Sequence, residues 1–352
     1  MGAIAALKVP RLADVSPRRF HEEIVPASQP VVLEQAAAHW ALVRHAQHDH
    51  AACADYLRKR ATAHRATTFV APASAHGRFG YTDDLGGLNF DRLAWTLAHI
   101  LNTLVSPAQD TAHYAGALPL GKYFPALSGE LPWSVSDSIP SAQPFLWIGG
   151  RCRVGAHYDS PHNLACVAAG RRRFTLFPTD QVANLYVGPI DFTPAGQAMS
   201  LVDFHSPDWQ RYPRFRDACQ HALVADLAPG DVLFIPAMWW HHVESLDDFN
   251  VLVNYWWPAG DPCVDDPLTT MIHALLSLRH LPPAQRQAWR SLFDHYIFQH
   301  DLPEHSLEHL PERSHGVLGA LDPSQALRQH ALVAERLALP SAGETTVLRG
   351  RS

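Results

Sequence analysis

Residues 155–178 read GAHYDSPHNLACVAAGRRRFTLFP, and residues 229–246 read PGDVLFIPAMWWHHVESL. In the first stretch, NLACVAA and RFTLF are short apolar runs parted by Gly170. In the second, Pro229-Gly230-Asp231 is a tight-turn signal just before the run DVLFIP. Working outward, FLWIG (145–149), ALVADL (222–227) and NVLVNYWW (250–257) add three more runs of the same kind. Short β-rich runs at this density, separated by Gly, Pro and Asp, predict a β-barrel or sandwich over 145–258.

The flanks have a different texture. Before residue 125 the pattern is mixed, with a short buried strand at Pro30-Val31-Val32-Leu33 and helical spacing at 39–46, 51–59 and 91–104, the last with Asp91 as N-cap. After Pro258 it is helical. Residues 266–278, 283–298 and 322–339 each carry an apolar face, and prolines at their starts suit the first turn. Those faces suit packing onto the barrel or a contact between two copies of the chain. The division predicted is 1–125 (mixed α/β), 126–260 (barrel core) and 261–352 (helices, with a dimer contact as one role).

The chain has 352 residues, net charge −6, 47% apolar and 18% charged residues, a globular composition. No apolar run is long enough to cross a bilayer. The N-terminus lacks the apolar stretch of a secretory signal, and Gly2 lacks the downstream Ser or Thr of a myristoylation site. Five scattered cysteines (Cys53, Cys152, Cys166, Cys219, Cys263) with no CxxC point to a reducing cytoplasm. The acidic balance speaks against a nucleic-acid partner.

His157-Tyr158-Asp159 carries the chemistry. On extended chain, residues i and i+2 share a side, so an imidazole and a carboxylate can take adjacent positions on one metal. A third ligand then completes a facial triad, leaving positions for co-substrate and oxygen. With 23 His in the chain, such a triplet alone is also common as a surface pair. The distal donor is His241 or His242; alternation from Asp231 is broken at Pro236, and the residues leave the two open. Glu244 is a candidate to hold one of these rings by hydrogen bonding.

Taken together, GAHYDSPHNLACVAAGRRRFTLFP and PGDVLFIPAMWWHHVESL…NVLVNYWW resemble the cupin-like JmjC family of Fe(II)- and 2-oxoglutarate-dependent oxygenases, nearest to its asparaginyl hydroxylases acting on the hypoxia-inducible pathway. The resemblance is densest over 145–257. It implies a mainly β fold, a double-stranded β-helix (jelly-roll or cupin) core with flanking helices. It implies His157, Asp159 and His241 as ligands of Fe(II), with 2-oxoglutarate and O2 as co-substrates. It further implies that Tyr114, Asn163, Arg172 and Asn254 hold the co-substrate and that Trp256 lines the substrate entrance.

Strand alternation puts Arg172 with Phe174 and Leu176, and Arg171 with Arg173 on the other face. An inward Arg172 is costly unless it meets an anion; the alternative is that all three arginines reach solvent. The asparaginyl hydroxylases have Lys here, and a hydroxyl residue at Val154. They also carry Gln at the place of Gly116, so asparagine selectivity is not implied. The implied reaction is hydroxylation of an unactivated C–H bond, with a peptide or protein side chain as substrate. A tRNA base or small metabolite is one rival, and a non-enzymatic metal-binding cupin another.

Overall fold

In the computed structural model, the described residues are 6–106, 111–194, 196–260, 266–299, 307–319 and 322–338. Gly2, Cys263 and Leu339, which entered the sequence expectations, lie outside them. The other four cysteines are free thiols.

Eight strands form the core. β1 (Gln143–Gly149), β2 (Cys152–His157), β3 (His162–Ala169) and β4 (Arg172–Phe177) come first. β5 (Leu223–Leu227), β6 (Val232–Ile235), β7 (Trp240–Ser245) and β8 (Asn250–Trp257) follow the long 178–222 connection. They pair antiparallel in the orders β1-β8-β3-β6 and β2-β7-β4-β5. Strands consecutive in sequence mostly alternate between the two sheets, which is jelly-roll topology: a double-stranded β-helix.

Both sheets are extended by earlier chain. Val31–Leu33 pairs with β6, and Thr111–Pro119 pairs with β1, carrying Arg65–Pro72 and Asp91–Thr96 beyond it. Leu7–Lys8 runs parallel to β5, and Arg78–Phe79 parallel to β2. With Arg11–Leu12, which runs parallel to Val31–Leu33, the totals among the described residues are nine and six strands. Met1–Gly260 is one compact unit and Asp261–Ser352 a second.

The unbroken apolar run of β3 has a direct cause: both its faces are covered. Leu164, Cys166 and Ala168 join the outer core with Leu42, Val43, Leu57, Leu97 and Leu101 of three helices (Ala41–His48, His50–Arg58, Leu97–Leu104). Ala165 and Val167 face the barrel interior with Phe174, Leu176, Leu233 and Leu252. Each such apolar side chain contributes about 1.5–3 kcal/mol on burial. Gly170, at φ +69°, makes the β3–β4 turn, where a Cβ would lie 2.5 Å from the Phe249 carbonyl oxygen.

One expected helix is corrected. Residues 91–104 are not a single helix: Asp91–Thr96 is a strand, paired with Arg65–Pro72, and the helix begins at Leu97. Its N-cap is Thr96, whose hydroxyl accepts from the His99 amide, not Asp91. Sheet pairing from a distant segment outweighed local helical spacing. The other expected helices shift by one to two residues at their starts, to Ala41, His50, Pro267 and Pro323.

In the second unit, Pro267–Leu278 is capped by Asp266, and Pro323–Leu337 by an Asp322/Gln325 capping box. The expected 283–298 helix is Pro283–Phe293 followed by a π-turn over Asp294–Phe298. None of these helices has a buried residue.

Candidate metal centre

β7 and β2 lie side by side in register, and His241 is the cross-strand partner of His157. Partners across an antiparallel pair have adjacent side chains. The two rings lie 4.4 Å apart, centroid to centroid. Asp159 follows β2, and its Oδ2 is 3.6 Å from His241 Nε2. One ligand atom from each of His157, Asp159 and His241 lies within 4.8 Å of the others.

A bulge makes this arrangement. Register shifts between His241 and Val243, so Gly155 and Ala156 of β2 stand opposite His242 alone. Val154 and His157 therefore both face the cavity, although they stand three positions apart, and Ala156 points into a different core with Phe177 and Trp240. Without the bulge, strict alternation from Val154 would aim Ala156 inward and His157 out.

Backbone carbonyls orient both rings. The Nδ1 of His157 bonds the Gly155 carbonyl at 2.9 Å, and that of His241 the Trp239 carbonyl at 3.0 Å. Each Nε2 is left to ligate. Burial, with His157 adding to it, pushes the His241 imidazole down to about 4, so it is neutral, as a metal ligand must be. Two imidazoles and one carboxylate converging from two strands are donors suited to a divalent transition metal with open positions.

Behind the triad, a cavity of about 100 Å³ runs into the barrel. The eight residues that the family resemblance implies all line it: His157, Asp159, His241, Tyr114, Asn163, Arg172, Asn254 and Trp256. Arg172 is only 7% exposed. Arg171 and Arg173 face outward onto Asp247 (2.7 Å) and Asp226 (2.6 Å). No carboxylate among the described residues pairs with Arg172, and its Nε is buried without a hydrogen-bond partner. Burial, opposed by nearby Cys152, pushes its guanidinium down to about 10. A buried cation without an acceptor is unfavourable by itself and becomes favourable when a carboxylate enters. The residues present therefore fit both a metal and an anionic co-substrate.

Tyr114 is packed between Phe69 (4.7 Å, stacked) and Phe79 (4.7 Å, edge-on), and burial pushes its phenol well up. Asn254 accepts from the Trp147 indole N–H at 2.7 Å and donates to Asn163 Oδ1 at 3.4 Å. Trp256 stands at the mouth, against Phe145 at 5.0 Å and edge-on to Trp147 at 6.0 Å, and its indole N–H is buried without a partner. Sequence reasoning missed Trp147. A Cβ on Gly116 would come within 2.2 Å of its ring, so the indole fills the space a side chain at 116 would need.

The expectation for Glu244 is corrected. It lies on the outward face of β7 with His242 and meets His205 Nε2 at 2.5 Å, hydrogen bonding neither His241 nor His242. His205 sits on the 178–222 connection, and no local pattern announces it. His242 also faces outward, against Phe204 at 4.5 Å, with both ring nitrogens buried and unpaired. Burial, reinforced by His205 and Arg153, pushes its imidazole down to about 3. Each unmade buried hydrogen bond costs about 1–3 kcal/mol.

No helix among the described residues is long and apolar enough to cross a membrane. The Cupin-like domain family profile matches residues 17–261. Human HSPB1-associated protein 1 is 36% identical over 149 residues, 41% of this chain and 30% of that protein. Lysine-specific demethylase JMJ31 of Arabidopsis thaliana is 38% identical over 118 residues, 33% of this chain and 21% of that protein. The chain thus matches under a third of the length of these relatives. Mouse tRNA wybutosine-synthesizing protein 5 is 26% identical over 267 residues, 71% of this chain and 78% of that protein. The X-ray structure of E. coli ycfD superposes on 93% of this chain and 69% of that one, with TM-score 0.42 and 13% identity.

Proposed function

Because this chain belongs to the cupin-like (JmjC-type) domain family, we propose that it is an Fe(II)- and 2-oxoglutarate-dependent oxygenase that hydroxylates an unactivated C–H bond. His157, Asp159 and His241 hold the metal, and Tyr114, Asn163, Arg172 and Asn254 hold 2-oxoglutarate. Bound iron supplies the hard chemistry: oxidative decarboxylation of the co-substrate to succinate and CO2, coupled to insertion of one oxygen atom into the substrate. The chain's own residues bind, orient and exclude water.

The observation that carries this reading is the pairing of the triad with an orphaned guanidinium in one cavity. Arg172 takes the far carboxylate of the diacid, directing its keto-acid end toward the triad. The Gly155 and Trp239 carbonyls fix the two rings in the ligating tautomer. Phe174, Val154 and Leu252 line the cavity with apolar surface and strengthen every polar contact made inside it. Trp256 and Trp147 face the mouth, where the substrate C–H bond must approach.

A peptide or protein side chain is the substrate this reading favours. Arg92 is the one Lys or Arg among the described residues lining the mouth, and its guanidinium already donates to the Pro194 carbonyl. An RNA substrate calls for more cations than that. The similarity to a tRNA-modifying protein over 71% of the chain keeps a nucleobase as the second reading.

The test is anaerobic Fe(II) plus 2-oxoglutarate, expected to give a weak visible charge-transfer band. Turnover is then screened against peptide, tRNA and metabolite pools for a product 16 Da heavier. Folded protein that gives no band refutes the oxygenase; a product confined to the tRNA pool refutes the peptide assignment.

A further inference from the structure

The outward face of β7 carries a second set of ligand-type side chains. His242 and Glu244 stand at i and i+2, hence on one side of the strand. His205 arrives from the long connection. One ligand atom from each lies within 4.8 Å of the others. The set repeats the logic of the inner triad, two donors two residues apart plus a histidine from a distant segment.

We propose that His205, His242 and Glu244 bind a second divalent metal ion, zinc by preference, on the outside of the barrel.

Four observations carry it. His242 is 95% buried with neither ring nitrogen hydrogen-bonded, although an imidazole carries a donor and an acceptor; a metal on one of them supplies the missing partner. The Phe204 ring against it fixes its plane. Glu244 has no guanidinium partner although Arg153 and Arg173 are its cross-strand neighbours, because Asp203 takes the first (3.2 Å) and Asp226 the second (2.6 Å). The loop bearing His205 is held by that same Asp203, which accepts the His205 amide at 2.9 Å.

Two imidazoles and a carboxylate are a common zinc donor set that leaves a fourth position open. Here that position has access to solvent, since His205 and Glu244 line an open surface cleft. Without metal, His205 and Glu244 satisfy each other directly. With it, they move apart onto the ion, which ties the 203–205 loop to the strand carrying His241. The proposal stands independently of the reaction assigned to the inner triad.

The test is zinc stoichiometry of the full-length, chelator-stripped chain by equilibrium dialysis and elemental analysis, with Co(II) absorption as a second readout. Two equivalents are expected for the parent. His205→Ala and Glu244→Gln each lose one; His157→Ala loses the other; His205→Ala/His157→Ala binds none. His205 is half exposed, so its alanine variant keeps the fold, and its apo melting temperature should match the parent's while the zinc-induced rise shrinks. A parent whose bound zinc is undiminished by His205→Ala, or a His205→Ala chain that still binds two equivalents, overturns the proposal. Loss confined to His157→Ala does so too, while leaving the inner site standing.

Discussion

Replacing Arg172 with methionine separates what the residue does for the fold from what it does for the site. Arg172 is 7% exposed, and no carboxylate among the described residues pairs with it. Without a bound anion it is a buried charge held at a cost. An apolar chain of similar length removes that cost and packs beside Phe174 and Val243. Substitutions that replace buried ionic groups by well-packed apolar ones are often neutral or stabilising by about 1–4 kcal/mol. The apo Arg172→Met chain should therefore melt at or above the parent's temperature.

Co-substrate binding should move the opposite way. Removing one partner of a buried, hydrogen-bonded charge pair costs about 3–5 kcal/mol, or roughly two to three and a half orders of magnitude in Kd at 1.4 kcal/mol per tenfold. Arg171→Met and Arg173→Met break only exposed pairs, worth about 0–1 kcal/mol each, and should leave 2-oxoglutarate affinity unchanged. The assay is anaerobic calorimetry of 2-oxoglutarate into Mn(II)-loaded protein, beside thermal melts of the metal-free chains. Equal losses in all three variants would refute the strand-face reasoning. A marked fall in apo stability of Arg172→Met would refute the buried-cost argument.

Three further outcomes are expected. Asp159→Ala should abolish succinate formation while leaving the apo circular dichroism spectrum unchanged, since Asp159 serves the triad and not the core; a variant that still turns over 2-oxoglutarate counts against the ligand set. Gly116→Gln places a Cβ 2.2 Å from the Trp147 ring and should destabilise the chain by about 1–3 kcal/mol with a change in tryptophan fluorescence; an unmoved urea midpoint contradicts it. Asp231 is buried, which opposes its ionisation, but the Ala228 amide, Arg11 and Gln35 outweigh this and hold its carboxyl below the usual range. The group therefore stabilises the fold fully above pH about 4, the unfolded value, and loses that contribution as pH falls through the native one. Asp231→Ala should cost about 2–3 kcal/mol at neutral pH, with the gap to the parent closing in acid; a gap that stays constant would be wrong for this mechanism.

Much of the barrel was legible along the chain because its information is local. Apolar runs of strand length, broken by Gly, Pro and Asp, mark β3, β4, β6 and β8, and two-residue alternation separates Arg172 from Arg171 and Arg173. The donor types at 157, 159 and 241 are equally plain from their letters. What the chain does not display is which residue stands opposite which. The bulge at Gly155-Ala156 turns His157 inward against simple alternation, and only its pairing with β7 creates it. That His241 and not His242 faces the cavity follows from β7 lying between β2 and β4, with Val243 and Ser245 on the inner side. Asp91–Thr96 became a strand because Arg65–Pro72 offered it an edge. Glu244 met His205, brought from about forty residues away, and the room beside Gly116 went to Trp147. Composition and periodicity act over a few residues. Register, bulges and cross-strand neighbours are settled by contacts between distant segments, whose closure no short window of sequence records.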